Sequence, residues 1–126
     1  MKSDGFKRAA ESKDFSKGEE LFAPDVVFHS PAVYEPYEGL DALGVLLSNV
    51  AEVFEDFRYV DQVETGDTAV LVFEARVGDK ELNGVDILRF GADGRIAEMT
   101  VMVRPFSGLQ ALLEEMGRRL AAAESA

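Results

Sequence analysis

The chain has no cysteine, no tryptophan and a single histidine, His29. Without Cys there are no disulfides, no thiolate metal sites and no cysteine nucleophile, a composition compatible with a reducing compartment. One His argues against zinc catalysis, which recruits two or three, and no D-x-[DN]-x-[DN]-G loop offers a calcium site. No metal and no cofactor are expected. Basic residues are scarce: 13 Lys+Arg face 24 Asp+Glu, and a formal charge of -11 would repel a polyphosphate backbone over most of the surface. Nucleic acid is therefore excluded as a partner. Long apolar runs are missing as well. No stretch approaches the ~18 to 20 apolar residues needed to cross a bilayer, and the opening MKSDGFKRAAESK lacks the apolar core of a signal peptide. The expectation is a cytoplasmic protein with no membrane partner.

What is present is the material of one globular unit. At 126 residues, 47% of them hydrophobic, the chain can bury roughly two-thirds of its unfolded surface in a single core. No repeat and no long linker divides it, so residues 1–126 are expected to form one domain. The first ~22 residues read as interrupted helix, with Phe6, Ala9 and Ala10 at helical spacing and a turn through residues 13–18. Val26 to Ser30 is a short β-rich run stopped by Pro31. Leu40, Leu43, Leu47, Val50 and Phe54 then recur every three or four residues, which predicts a core-facing helix. Four β-like runs follow, about 57–64, 68–77, 81–90 and 95–104, separated by turn signals such as Gly78-Asp79 and Gly91-Ala92-Asp93-Gly94. The last element is a helix over about 107–123, with Ser107 and Gln110 as a capping box and Glu114–Arg118 and Glu115–Arg119 as outer ion pairs. The sum is an α+β domain: a meander of antiparallel strands, curved around helices.

The segment Phe22-Ala23-Pro24-Asp25-Val26-Val27-Phe28-His29-Ser30-Pro31, the Gly39 that opens a helix, and Asp86-Ile87-Leu88-Arg89-Phe90-Gly91-Ala92-Asp93-Gly94-Arg95-Ile96 carry a resemblance. Over roughly residues 5–105 the chain resembles the nuclear-transport-factor-2-like superfamily, in particular its SnoaL-like branch of polyketide cyclases, ketosteroid isomerases and limonene-epoxide hydrolases. That resemblance implies a cone-shaped, cystatin-like domain with a deep pocket for a small apolar molecule, and commonly a homodimer through the outer sheet face. Apolar residues on both faces of the 81–90 run independently call for a cover on each.

Asp86 is the leading candidate for chemistry. It is centred in Gly84-Val85-Asp86-Ile87-Leu88, where burial would raise its pKa and favour a protonated, donating carboxyl. The ketosteroid isomerases keep an acid neutral in a similar D-x-x-R-F context so that it can donate to an oxyanion. The competing reading is a structural carboxylate bonded to Arg89 or Arg104. The rest of the isomerase set does not carry over: counted without gaps, the family's general base falls on Ser30 and its oxyanion tyrosine on Phe6. The hydrolase acid of the last strand falls on Val101. His29 could supply the missing base if it faces the pocket, although strand parity sets it opposite Ser30. Tyr34, Tyr37 and Tyr59 are further phenolic donors, the first two in the loop that could cover the pocket mouth. The expected substrate-binding wall is Ser30, Tyr34, Phe54, Leu88, Met99, Val101 and Val103. Two functions remain open: an acid/base isomerase, cyclase or dehydratase on an apolar carbonyl compound, or a non-catalytic ligand-binding or dimeric interaction module.

Overall fold

Along Thr68–Val77 and Lys80–Phe90 buried and less buried residues alternate strictly, the signature of strands with one face against a core. In the computed structural model, which describes residues 1–125, these are β4 and β5 of a six-stranded sheet with the order β2-β1-β6-β5-β4-β3. The elements run α1 (Asp4–Ser12), α2 (Gly18–Leu21), β1 (Phe22–His29), β2 (Tyr37–Glu38), α3 (Leu40–Val53), β3 (Glu55–Thr65), β4, β5, β6 (Ile96–Arg104) and α4 (Phe106–Ser125). The meander β3 to β6 is antiparallel as expected. β1, however, joins β6 in parallel, so the sheet is mixed. A parallel neighbour needs a long crossover, which the whole α3-to-β5 segment provides.

Irregularities in pairing lie between Phe22 and Val27, between Glu55 and Arg58, between Tyr59 and Asp61, and between Arg89 and Phe90. Such steps bend and twist a sheet, and here it curves around the helices. The core is two clusters, one built on Phe6, Phe22, Val26, Leu43, Leu71 and Leu88, the other on Val53, Phe54, Phe73, Leu82 and Leu112. Val50, Tyr59 and Val101 pack against both.

Two readings of the helices change. α4 begins at Phe106, directly after the cis Arg104–Pro105 bond, so Ser107 lies inside its first turn instead of capping it. On its outer face Arg118 pairs with Glu115, three residues back, and Arg119 donates to Asn49 Oδ1 of α3 at 3.2 Å. The second of these ties α4 to α3 instead of adding a pair within one helix.

Candidate functional site

Between the two core clusters lies a cavity of about 290 Å³, room for a molecule of roughly two fused rings. Its walls come from nearly every element. α1 gives Phe6 and Ala10; α3 gives Leu46, Leu47, Val50 and Ala51; the sheet gives Phe28, Phe57, Phe73, Met99 and Val101. α4 contributes Leu112, Leu113, Met116, Gly117 and Leu120. The aromatic wall is ordered: Phe57 lies edge-on to Tyr59 with ring centroids 5.0 Å apart, and Phe54 stacks on Phe57 at 5.5 Å.

Into this apolar space β5 projects Asp86, which is 5% exposed. Its position follows from period-two alternation, because Leu82, Gly84, Leu88 and Phe90 share its face. Its partner is a phenol: Tyr59 Oη donates to Asp86 Oδ2 at 2.5 Å. Tyr59 reaches it from β3, across β4, and also lines the cavity. Burial pushes the Asp86 carboxyl up to about 7, with the Tyr59 hydrogen bond pulling the other way. Burial and the adjacent carboxylate together hold the Tyr59 hydroxyl well above its ordinary range, so the phenol remains a donor at neutral pH. A carboxyl poised near neutrality can both give and take a proton.

The remaining polar groups on the wall are few. Ser30 lines the cavity, but its Oγ accepts the backbone N–H of Ala32 at 3.2 Å and of Val33 at 3.3 Å, closing the loop after β1. Tyr37 contributes part of the rim, and Lys13 reaches it from the end of α1. Among the described residues no group of three or more His, Cys, Asp or Glu side chains could hold a metal ion.

The amino-terminal 99 residues contain the match that decides the family: residues 4–99 fit the model described as SnoaL-like domain. The chain belongs to the SnoaL-like family. A steroid delta-isomerase from Pseudomonas aeruginosa of known structure is 46% identical, aligns over 99% of this chain and 93% of that one, and superposes with a TM-score of 0.94. An uncharacterized bacterial protein with a cystatin-like fold from Silicibacter pomeroyi is 30% identical over 91% of this chain and 82% of its own, with a TM-score of 0.87. A putative SnoaL-like polyketide cyclase from Jannaschia shares the fold at a TM-score of 0.68 and 14% identity, covering 84% of this chain and 85% of that chain. None of the curated proteins matches the chain.

In this SnoaL-like chain the residues expected to form the site separate into two groups. Asp86, Ser30, Phe54, Met99 and Val101 line the cavity. Leu88 and Val103 are instead packed into the two core clusters on either side. Tyr34 is 97% exposed and stands away from the cavity, leaving Tyr37 alone of the two loop tyrosines on its rim. His29 is the main correction. It pairs with Thr100 in register and points from the outer sheet face, where its Nε2 lies 3.0 Å from Glu98 Oε2. Strand parity prevails, no bulge falls at Pro31 to reverse it, and His29 and Asp86 are not brought together. Phe6 and Ser30, where the resemblance places a phenol and a carboxylate, both line the cavity and offer neither group. The residue that sequence reasoning undervalued is Tyr59. The register explains the contact: Tyr59 lies opposite Phe73, whose β5 neighbour is Gly84, two residues from Asp86.

Proposed function

We propose that this SnoaL-like protein binds a small apolar carbonyl compound and moves protons on it, as an isomerase, cyclase or dehydratase, with Asp86 as the acid/base group. The observation that carries this reading is the Asp86–Tyr59 pair facing an otherwise apolar cavity. As a carboxylate, Asp86 takes a proton from the carbon next to the carbonyl; as the acid, it returns one to a different atom. Tyr59 stabilises the ionised form through Oδ2 and leaves Oδ1 for the substrate. The similarity to a steroid delta-isomerase supports an allylic proton shift. With Ser30 where the resemblance would set a general-base carboxylate, this reading gives the proton transfer to Asp86 alone.

The test needs no knowledge of the natural substrate. In deuterated water, the exchange of the protons beside the carbonyl of β-tetralone is followed by NMR with wild type, Asp86→Asn and Tyr59→Phe. Wild type is expected to accelerate exchange, with a loss of about 100-fold or more in Asp86→Asn. A second reading is favoured by the engaged Ser30 hydroxyl and by His29 lying outside: a binding module without turnover. It would follow if the ketone binds but exchanges no faster than in buffer.

We further propose that a second copy covers the outer sheet face. That face carries Val70, Val72, Val85, Ile87 and Met102 on inner strands, with Val63 beside them on the edge strand β3. Two opposite-sign pairs lie on it, Arg58 with Glu74 and Arg89 with Glu98, which lessens there the repulsion that the net charge of -11 imposes elsewhere.

A further inference from the structure

Lys13 has no use in the chemistry above, yet it lines the cavity. It sits immediately after α1 with a left-handed backbone, φ +60°, where its own N–H closes on Ala10 O at 3.3 Å. That sharp end to the helix turns the side chain across to the end of α3, and Nζ donates to the carbonyl of Phe54 at 3.1 Å. One of three ammonium donors is thereby used. Lys2 and Lys7 pair with Asp67 and Glu11, whereas Lys13 makes no ion pair among the described residues. The acids beside it in sequence are engaged elsewhere. Glu11 accepts from Lys7 and from the Tyr59 N–H, and Asp14 accepts the N–H of Ser16 at 3.0 Å. Lys13 is itself exposed, so water solvates much of its ammonium; at the edge of an apolar cavity, with two donors not spent on the protein, it is placed to meet the anionic end of a ligand whose body lies inside.

From this we infer that the ligand is an apolar carboxylic acid, its carboxylate held by Lys13 and its reacting end set against Asp86. The two ends are joined by the aromatic wall. Phe54, whose carbonyl holds Lys13, is one 5.5 Å ring step from Phe57, and Phe57 is one 5.0 Å step from Tyr59. A molecule lying along those rings spans ammonium and carboxyl. The inference rests on the functional reading of the Asp86–Tyr59 pair and adds the charge of the substrate to it. It also assigns Lys13 a role in specificity that Phe54, Phe57 and the α4 leucines cannot supply, because apolar walls alone disfavour an ionised acid against its uncharged analogue.

Calorimetric titration of para-hydroxyphenyl butanoic and hexanoic acids, each beside its primary amide, with β-naphthol as the neutral reference, tests it. In wild type one or both acids are expected to bind about tenfold more tightly than their amides. In Lys13→Met that preference disappears while amide and β-naphthol affinities stay within about twofold of wild type; Lys13→Arg retains most of it. Asp86→Asn weakens acids and amides alike. Equal affinity of acid and amide in wild type, or a preference that survives in Lys13→Met, overturns the assignment of Lys13. If β-naphthol still binds in an Asp86-dependent way in that case, the acid/base reading stands without it. Should neither the acids nor β-naphthol bind wild type, both readings fall. Thermal melts of each variant separate these outcomes from a fold weakened by losing the Lys13–Phe54 link.

Discussion

Asp86 stands on a strand face whose other members, Leu82, Gly84, Leu88 and Phe90, are apolar or lack a side chain, and that placement was legible before any coordinates. Its partner was not. The candidates named from sequence were Arg89 and Arg104, but both belong to the outer face, where Arg89 meets Glu98 and Arg104 meets Asn83. The true partner, Tyr59, lies two strands away, and no local pattern reports a contact across an intervening strand. His29 illustrates the reverse error: a chemically attractive residue type outweighed a parity rule that the strand obeys. The raised pKa of Asp86 has a sign that can be checked. Below its unfolded value, about 4, both states are protonated and the burial costs little. As pH rises from about 4 to about 7, the unfolded chain ionises while the folded one resists, so stability falls, by up to about 4 kcal/mol, and levels off above. Asp4, Asp14 and Asp93, held low by hydrogen bonds, act in the opposite sense at lower pH. Urea denaturation of wild type and Asp86→Asn in parallel cancels those groups. The difference in stability is expected to move against wild type between about pH 4 and pH 8; a flat difference would mean an ordinary carboxylate.

The elements followed from periodicity more faithfully than their ends did. α3 was read as 40–54 and spans Leu40–Val53; the β4 run agrees residue for residue. β1 is longer than its apolar run, because Phe22 already pairs with Ile96 of β6 and the irregularity between Phe22 and Val27 carries the strand past Pro24 and Asp25. The capping box at Ser107 failed because the chain enters α4 from Pro105, whose carbonyl already accepts the Leu109 N–H. One element-level contact tests the packing beneath Asp86. A Cβ on Gly84 would stand 2.2 Å from the Met102 carbonyl oxygen and 2.7 Å from Phe73 Cζ, and neither the backbone nor a ring in the aromatic wall can give way. Gly84→Ala is therefore expected to cost about 3 kcal/mol, while Gly44→Ala in α3, with open space around it, gains about 0.5 to 1 kcal/mol. Comparing the two melting temperatures separates close packing from a general intolerance of the added methyl.

For the molecule as a whole, the curved sheet around helices was within reach of pattern and resemblance together. What pattern could not provide was the cavity, since its volume is the joint product of residues from three helices, the loops and the sheet. α4 shows this most clearly: it lies beyond the matched residues 4–99, yet five of its residues line the cavity. The outer face makes a separate prediction. Val63 on the edge strand β3 and Met102 on the inner strand β6 are 61% and 56% exposed, an arrangement suited to a second copy. Sedimentation equilibrium is expected to give twice the 13.8 kDa chain mass, and Val72→Glu to reduce it to one. A monomeric wild type at micromolar concentration would remove the dimer proposal and leave the cavity reading untouched.

The most direct test of the cavity reading is the titration of one atom. With carbon-labelled aspartate, the Asp86 carboxyl resonance, assigned by its loss in Asp86→Asn, is followed against pH in wild type and in Tyr59→Phe. A midpoint near 7 in wild type, moving higher when the phenol no longer stabilises the carboxylate, is the expected result. A midpoint near 4 in both proteins would contradict it, for Asp86 would then be a solvated structural carboxylate with no proton to exchange near neutrality.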